Sequence, residues 1–288
     1  MNGQTASVPA LYHQNIAMQD ENTSHRKLAD RVSANAVVLD VGCACGDMGV
    51  YLKQSRQCSM SGIEYSEERL TIARQTGAYE LLIQADLNTF TPLGHFPPDS
   101  FDFIIFGDIL EHLYSPEAVL RGFLPLLKKN GHILISLPNI THASVITQLL
   151  LNKFEYIDDG IFDRTHIRFF ASGNINFLLS KNNLEVIHCD HVTYDLGGFK
   201  GEYFQQISLT TARHISKLGY TAIFQYVIDA KQTKSAYNKL INYNFRKIET
   251  LSEKTSASIR AIQNKYTLPK LLWMKLKYII KKHIKGSL

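Results

Sequence analysis

Apolar residues in this chain fall into short blocks separated by polar stretches with helical spacing. Ala36-Val37-Val38-Leu39-Asp40-Val41 is a β-branched run that stops at Gly42, the signature of a buried strand. Gly46 to Arg56 then places Met48, Tyr51 and Leu52 on one helical face. Ser59 to Glu64 predicts a second strand, with a helix through Glu67, Leu70, Ile72 and Ala73 behind it. Leu81 to Asp86 predicts a third strand, Phe101 to Phe106 a fourth, and His132 to Leu137 a fifth stopped by Pro138. A helix is expected from about Pro116 to Lys129, with Asn130-Gly131 as its C-cap. Leu184 to His188 and Thr221 to Asp229 bring the number of strands to seven.

Strands and helices alternating at this interval predict an α/β fold: a doubly wound, largely parallel sheet with right-handed crossovers. Residues 1–20 are weakly patterned, and a helix is expected over Asp20 to Ser33. The organisation expected is an N-terminal arm and helical cover over 1–33, one domain over 34–230, and a helical extension over 231–288.

Composition changes this picture little. At 288 residues, 45% apolar and 20% charged, the chain can bury a sizeable core. No apolar run approaches the roughly 18 residues of a membrane span, and Met1 to Ala10 lacks the basic and apolar regions of a secretory signal. The four cysteines form no paired framework, which fits a reducing, cytoplasmic setting.

Charge changes it more. Residues 231–288 hold 14 basic and 2 acidic side chains, against 17 and 24 in the rest of the chain. An acidic body argues against nucleic acid as a partner and turns attention to the tail. Helix is expected over 233–267, and a second begins at Pro269. There Leu272, Trp273, Leu276, Ile279, Ile280 and Ile284 share one arc, with lysines outside it. Such a helix suits peripheral contact with the inner membrane face through 268–288, or packing on its own domain or a partner subunit.

Candidate chemistry gathers at the carboxyl ends of the first four strands, where open α/β sheets bind ligands. Asp40-Val41-Gly42-Cys43-Ala44-Cys45-Gly46 is a turn of small residues leading into a helix, suited to close approach by a ligand carboxylate. Glu64 closes the second strand and can accept from both hydroxyls of a ribose. Asp86 ends the third, and Gly107-Asp108 ends the fourth.

With these residues in view, the chain resembles the class I S-adenosylmethionine-dependent methyltransferases, over roughly residues 20–230. Val38 to Gly46 looks like that family's first motif. The resemblance implies S-adenosylmethionine as cofactor, with Glu64 on its ribose, Asp86 on its adenine and Asp108 at its methionine end. Tyr65, Leu87 and Gly107 would be further contacts. It also implies a Rossmann-like sheet of order 3-2-1-4-5-7-6 with strand seven antiparallel. Ala44 stands where the family has its middle glycine, a departure that is tolerable if its φ is negative. Gly107 to Leu113, Ser136 to Asn139, and Phe154 through Phe170 look like a bacterial subgroup associated with glycosyltransferases and surface-polysaccharide synthesis. More distantly, the chain is similar to ubiquinone-pathway O-methyltransferases.

That resemblance makes O-methylation of a sugar or glycan intermediate the leading expectation. A quinone or other small lipid is the alternative acceptor, and a cofactor-binding interaction protein without activity the rival. For a hydroxyl acceptor, His166 is the first candidate general base, His112 the second and His142 the third, each with a structural role as its alternative. Arg164 and Arg168 could meet an anionic group on the acceptor, or Asp163 and solvent. Glu111, His112, Asp163 and His166 could together hold a divalent ion, but their spacing resembles no dedicated site, so no metal is expected. Cys43 and Cys45 are expected to fill the turn rather than to bind zinc.

Overall fold

The computed structural model describes residues 20–194, 203 and 205–233. Five strands, β1 (Val37–Val41), β2 (Ser59–Glu64), β3 (Tyr79–Gln84), β4 (Phe101–Gly107) and β5 (Leu127–Pro138), pair in parallel. β6 (Leu184–Thr193) and β7 (Ile223–Gln232) complete one sheet of order β3-β2-β1-β4-β5-β7-β6, in which β7 is antiparallel to both its neighbours. This is the order and the reversal expected of a Rossmann-like methyltransferase sheet.

Side-chain alternation along the strands builds a core on each face of the sheet. Leu39, Val41, Ile104, Phe106, Ile133 and Ile135 pack on one side with α4 (Pro116–Phe123) and α6 (Ser172–Lys181). Val38, Phe103, Ile105 and Leu134 pack on the other with α1 (Ser24–Ala29), α2 (Asp47–Arg56) and α5 (Ala143–Leu150). Each such fully buried Leu, Ile or Phe contributes roughly 1.5–3 kcal/mol. α3 (Glu67–Gln75) packs beside β2 and β3, and α7 (Leu209–Lys217) precedes β7.

Five elements differ from expectation. The helix begun at Pro116 ends at Phe123 and tightens into a 3-10 turn over Leu124–Leu126, because Pro125 has no amide with which to continue it. Leu127 then pairs with Phe101, so Lys128 to Gly131 belong to an irregular start of β5 and not to a helix. The third strand is Tyr79–Gln84, which leaves Asp86 two residues beyond its end. The first helix is shorter than Asp20 to Ser33: Thr23 caps it by accepting from the Arg26 amide, and it closes at Asp30. β6 runs on to Thr193, five residues past His188, because Asp190, His191, Val192 and Thr193 keep partners on β7. The expected tail helices lie outside the described residues. No helix among the described residues is long and apolar enough to cross a membrane.

Candidate active site

The turn after β1 carries three left-handed residues in alternation, Gly42 at φ +81°, Ala44 at +47° and Gly46 at +92°. At Gly42 a Cβ would stand 2.9 Å from the Ile109 side chain, so glycine is required there by space as well as by φ. At Ala44 the condition for that departure, a negative φ, is not met: its backbone adopts the left-handed region that glycine tolerates best. Cys43 and Cys45 are buried free thiols that fill the turn, and burial pushes the Cys43 thiol far up.

Two carboxylates hold this turn. Glu64, 6% exposed, accepts from the Ala44 amide through Oε2 at 3.1 Å and from the Ser66 amide through Oε1 at 2.8 Å. Asp40 accepts from the Tyr79 hydroxyl at 2.7 Å, and burial, partly offset by that bond, raises its carboxyl to about 6. Gly46 caps α2 without a side-chain hydrogen bond, and the start of that helix borders a narrow cleft. His25, Asp40, Gly42, Ala44, Asp47 and Gly107 line it.

The outer candidates are disposed differently. Tyr65 is 72% exposed beside Glu64, whereas Leu87 is buried. Asp86 is exposed and accepts from both the amide and the side-chain amide of Asn88 at 2.9 Å. Asp108, at φ +51°, is held by Ser136 Oγ at 2.7 Å, Ser24 Oγ at 2.8 Å and Gln225 Nε2 at 3.1 Å. Ser24 comes from α1 and Gln225 from β7, so three distant segments converge on one carboxylate at the cleft rim.

Beyond Asp108, the acceptor-side candidates meet. Glu111 is 1% exposed, and neither of its oxygens has a hydrogen-bond partner among the described residues. Burial first, and then the charge of Asp108, pushes its carboxyl well above the usual carboxylate range. His166 Nε2 lies 3.9 Å from Glu111 Oε1, and the His112 and His166 rings meet edge to face with centroids 4.7 Å apart. Burial, then proximity to His166, lowers the His112 pKa. The Ile167 and Arg168 amides both donate to the Glu111 carbonyl at 3.0 Å, which fastens the loop behind β5 onto this segment.

His142 is elsewhere: it is buried against Phe224 and caps α5. Arg164 pairs with Asp158 at 2.6 Å rather than with Asp163, and Arg168 donates to the Tyr114 carbonyl at 2.5 Å. The same loop presents Phe154, Tyr156 and Ile167, each exposed, with Phe154 packed against Phe162 at 4.5 Å. A roomier cleft between α1 and the β6–β7 pair is lined by charges that already pair, Lys27 with Asp190 and Arg31 with Asp229. The sequence reading missed Tyr79, Ser24 and Gln225, since nothing near them marks them as neighbours of Asp40 or Asp108.

The pattern of a methyltransferase domain matches residues 18–189. Relatives named ubiquinone biosynthesis O-methyltransferase include one from Azoarcus, 28% identical over 166 residues, which are 56% of this chain and 70% of the relative. Another, from Neisseria meningitidis, is 24% identical over 54% of this chain and 67% of its own. Among solved structures, a SAM-dependent methyltransferase from Thermotoga maritima superposes with a TM-score of 0.54 at 16% identity, covering 79% of this chain and 96% of that one, a likeness of fold. With its motif turn, its sheet order and this match over 172 consecutive positions of 18–189, the chain belongs to the methyltransferase-domain family and is an S-adenosylmethionine-dependent methyltransferase.

Proposed function

We propose that the chain methylates a hydroxyl oxygen on a planar, largely apolar acceptor of the quinol kind. The observation that carries the reading is the union, on one loop, of exposed Phe154, Tyr156 and Ile167 with the buried His166, which faces His112 and Glu111. An apolar shelf next to a cluster of lone-pair donors suits a ring bearing a hydroxyl. The names of the relatives, ubiquinone biosynthesis O-methyltransferases, support the same reading. A sugar or glycan acceptor would use the same oxygen chemistry, but it draws only on the resemblance of the segment from Phe154 to Phe170.

The cofactor fits the turn after β1. Glu64 is fixed by two backbone amides and keeps lone pairs for the hydroxyls of a ribose. The start of α2, with no side-chain cap, suits a carboxylate, and buried Asp40, short of positive charge, suits an ammonium group that would hold it ionised. Tyr65, Asp86, Leu87, Gly107 and Asp108 complete the proposed contacts. When bound, S-adenosylmethionine supplies an electrophilic methyl group on a sulfonium sulfur. The chain's part is to orient the acceptor oxygen and draw off its proton, and positioning supplies much of the rate. His112 and His166, paired edge to face on the acceptor side, are the residues proposed to take up that proton.

The test is donor consumption with a demethylated quinol-type catechol and, separately, with lipid-linked glycan fractions. Turnover of the catechol, reduced about 100-fold in His112→Ala with cofactor affinity kept, is expected. Turnover of glycan alone would overturn the acceptor, and unchanged kcat would remove His112 from the chemistry.

A further inference from the structure

The Glu111, His112 and His166 side chains each offer a ligand atom, and these three atoms lie within 4.8 Å of one another. What matters is where their protons are. His166 Nδ1 is 3.0 Å from the Ile161 carbonyl, which can only accept, so Nδ1 carries the hydrogen and Nε2 keeps its lone pair. His112 Nδ1 is 3.2 Å from the Thr165 carbonyl and 3.1 Å from the Thr165 hydroxyl, whose own hydrogen goes to Asp163 Oδ1 at 2.6 Å, so Nδ1 carries the hydrogen here too and Nε2 is the lone-pair nitrogen. Glu111 brings two oxygens that no described group donates to. With Glu111 ionised, three acceptors thus lie together, Glu111 and His166 buried and His112 half-buried, with no donor among them. A carboxylate that is 1% exposed is retained as a charge only when it is paired or coordinated.

We propose that Glu111, His112 and His166 form a binding site for a divalent transition-metal ion, of the zinc or cobalt kind. Two imidazole nitrogens and one carboxylate are borderline donors, which favour such ions over magnesium or calcium. Both rings have the outer contact that metal-bound histidines use, an Nδ1–H held by a carbonyl, so ring orientation is fixed in advance. The ligands come from two segments locked together by the Ile167 and Arg168 amides on the Glu111 carbonyl. With atoms spread over 4.8 Å, a modest contraction would bring all three to coordination distance. Positions 111, 112 and 166 share no familiar ligand spacing, which is why the sequence alone argues against a metal. Three protein ligands leave positions open, where an acceptor hydroxyl could bind and become more acidic, an effect that takes the place of proton uptake by His112 and His166 when the ion is bound. That consequence rests on the acceptor proposed above; the site itself does not.

The experiment uses the full chain, stripped with chelator and titrated with Co²⁺ alone by calorimetry and visible absorption, with no acceptor present. One ion per chain is expected, with absorption from nitrogen and oxygen ligation. Glu111→Gln and His166→Asn should each weaken binding by ~100-fold or more, since even loss of an outer contact costs about 10- to 100-fold. His112→Asn, at a half-buried position, should do the same and serves if a buried variant does not fold. Absence of Co²⁺ binding overturns the site, as does equal affinity in the folded variants, which would mean that Glu111 carries a proton and shares it with His166. Because the readout is metal binding, failure here is distinct from failure of the quinol reading.

Discussion

The Tyr79 hydroxyl donates to Asp40 Oδ2 at 2.7 Å and accepts from the Gly49 amide at 3.1 Å. One side chain from β3 thereby ties the end of β1 to the first turn of α2, beneath the proposed cofactor turn. Its ring occupies the space that Gly49 leaves free, where a Cβ would come within 2.3 Å of it. The Asp40 carboxylate is therefore desolvated by packing and steadied by a single neutral donor, a setting that leaves it short of positive charge.

Asp40 should make the ligand-free protein less stable as pH rises. Its folded pKa, about 6, lies above the ordinary 3.8, so the folded state binds the extra proton between those values. Stability is then lost as pH climbs through that window, by about 3 kcal/mol in all. Asp40→Asn keeps an acceptor for Tyr79 and removes the titration. Melting of the two proteins should be similar at pH 4, with the variant gaining by pH 7. A gap independent of pH would assign the burial cost to another group.

Ala44→Gly should stabilise the protein. A left-handed conformation costs an L-residue roughly 1–2 kcal/mol, while glycine's extra unfolded-state freedom offsets about 0.5–1. At φ +47°, Ala44 should thus give up to ~1 kcal/mol when replaced by glycine, seen as a rise in Tm. Because the Ala44 amide also donates to Glu64, cofactor affinity should hold or improve. A lower Tm would show that the methyl group is packed rather than strained.

The sheet and the proposed cofactor turn were legible because both depend on local pattern. Val38, Leu39 and Val41 alternate between two cores, and Gly42 ends the strand whatever lies elsewhere. The end of the helix begun at Pro116 was misread because Asn130-Gly131 is a strong stop, while Pro125 had already removed an amide. The torsion at Ala44 is not written in residue types. Nor are the convergences of Ser24, Ser136 and Gln225 on Asp108, across 84, 28 and 117 positions, since topology creates them. Glu111 could be named from the sequence, but its lack of partners could not.

The segment 268–288 is proposed to dock on an anionic membrane surface, where an apolar acceptor would be found. Its removal should abolish co-sedimentation with anionic vesicles, an interaction that added salt should weaken, and leave cofactor affinity unchanged. Loss of a cooperative melt on truncation would place the segment in the fold or in a subunit interface instead.

His142 should act against Asp40 over nearly the same pH range. It is 1% exposed, its Nδ1 accepts from the Ser144 amide at the start of α5, and its Nε2 has no partner among the described residues. Burial lowers its pKa from 6.5 to about 4, so the folded state resists the proton that the unfolded chain takes up. The stability it contributes is complete above pH 6.5 and is lost as pH falls toward 4, about 3 kcal/mol in all. In the wild type this loss on acidification runs opposite to the gain at Asp40, and the two should largely cancel. His142→Asn keeps a good N-cap but loses the ring's packing on Phe224, so it should melt lower at pH 7. Without the imidazole, the His142 share of the slope is gone, so relative to the wild type the variant should gain stability on going from pH 6.5 to 4. Asp40→Asn should show the reverse difference from the wild type. Parallel pH profiles in the wild type and His142→Asn would show that this histidine takes up its proton in the folded state without cost.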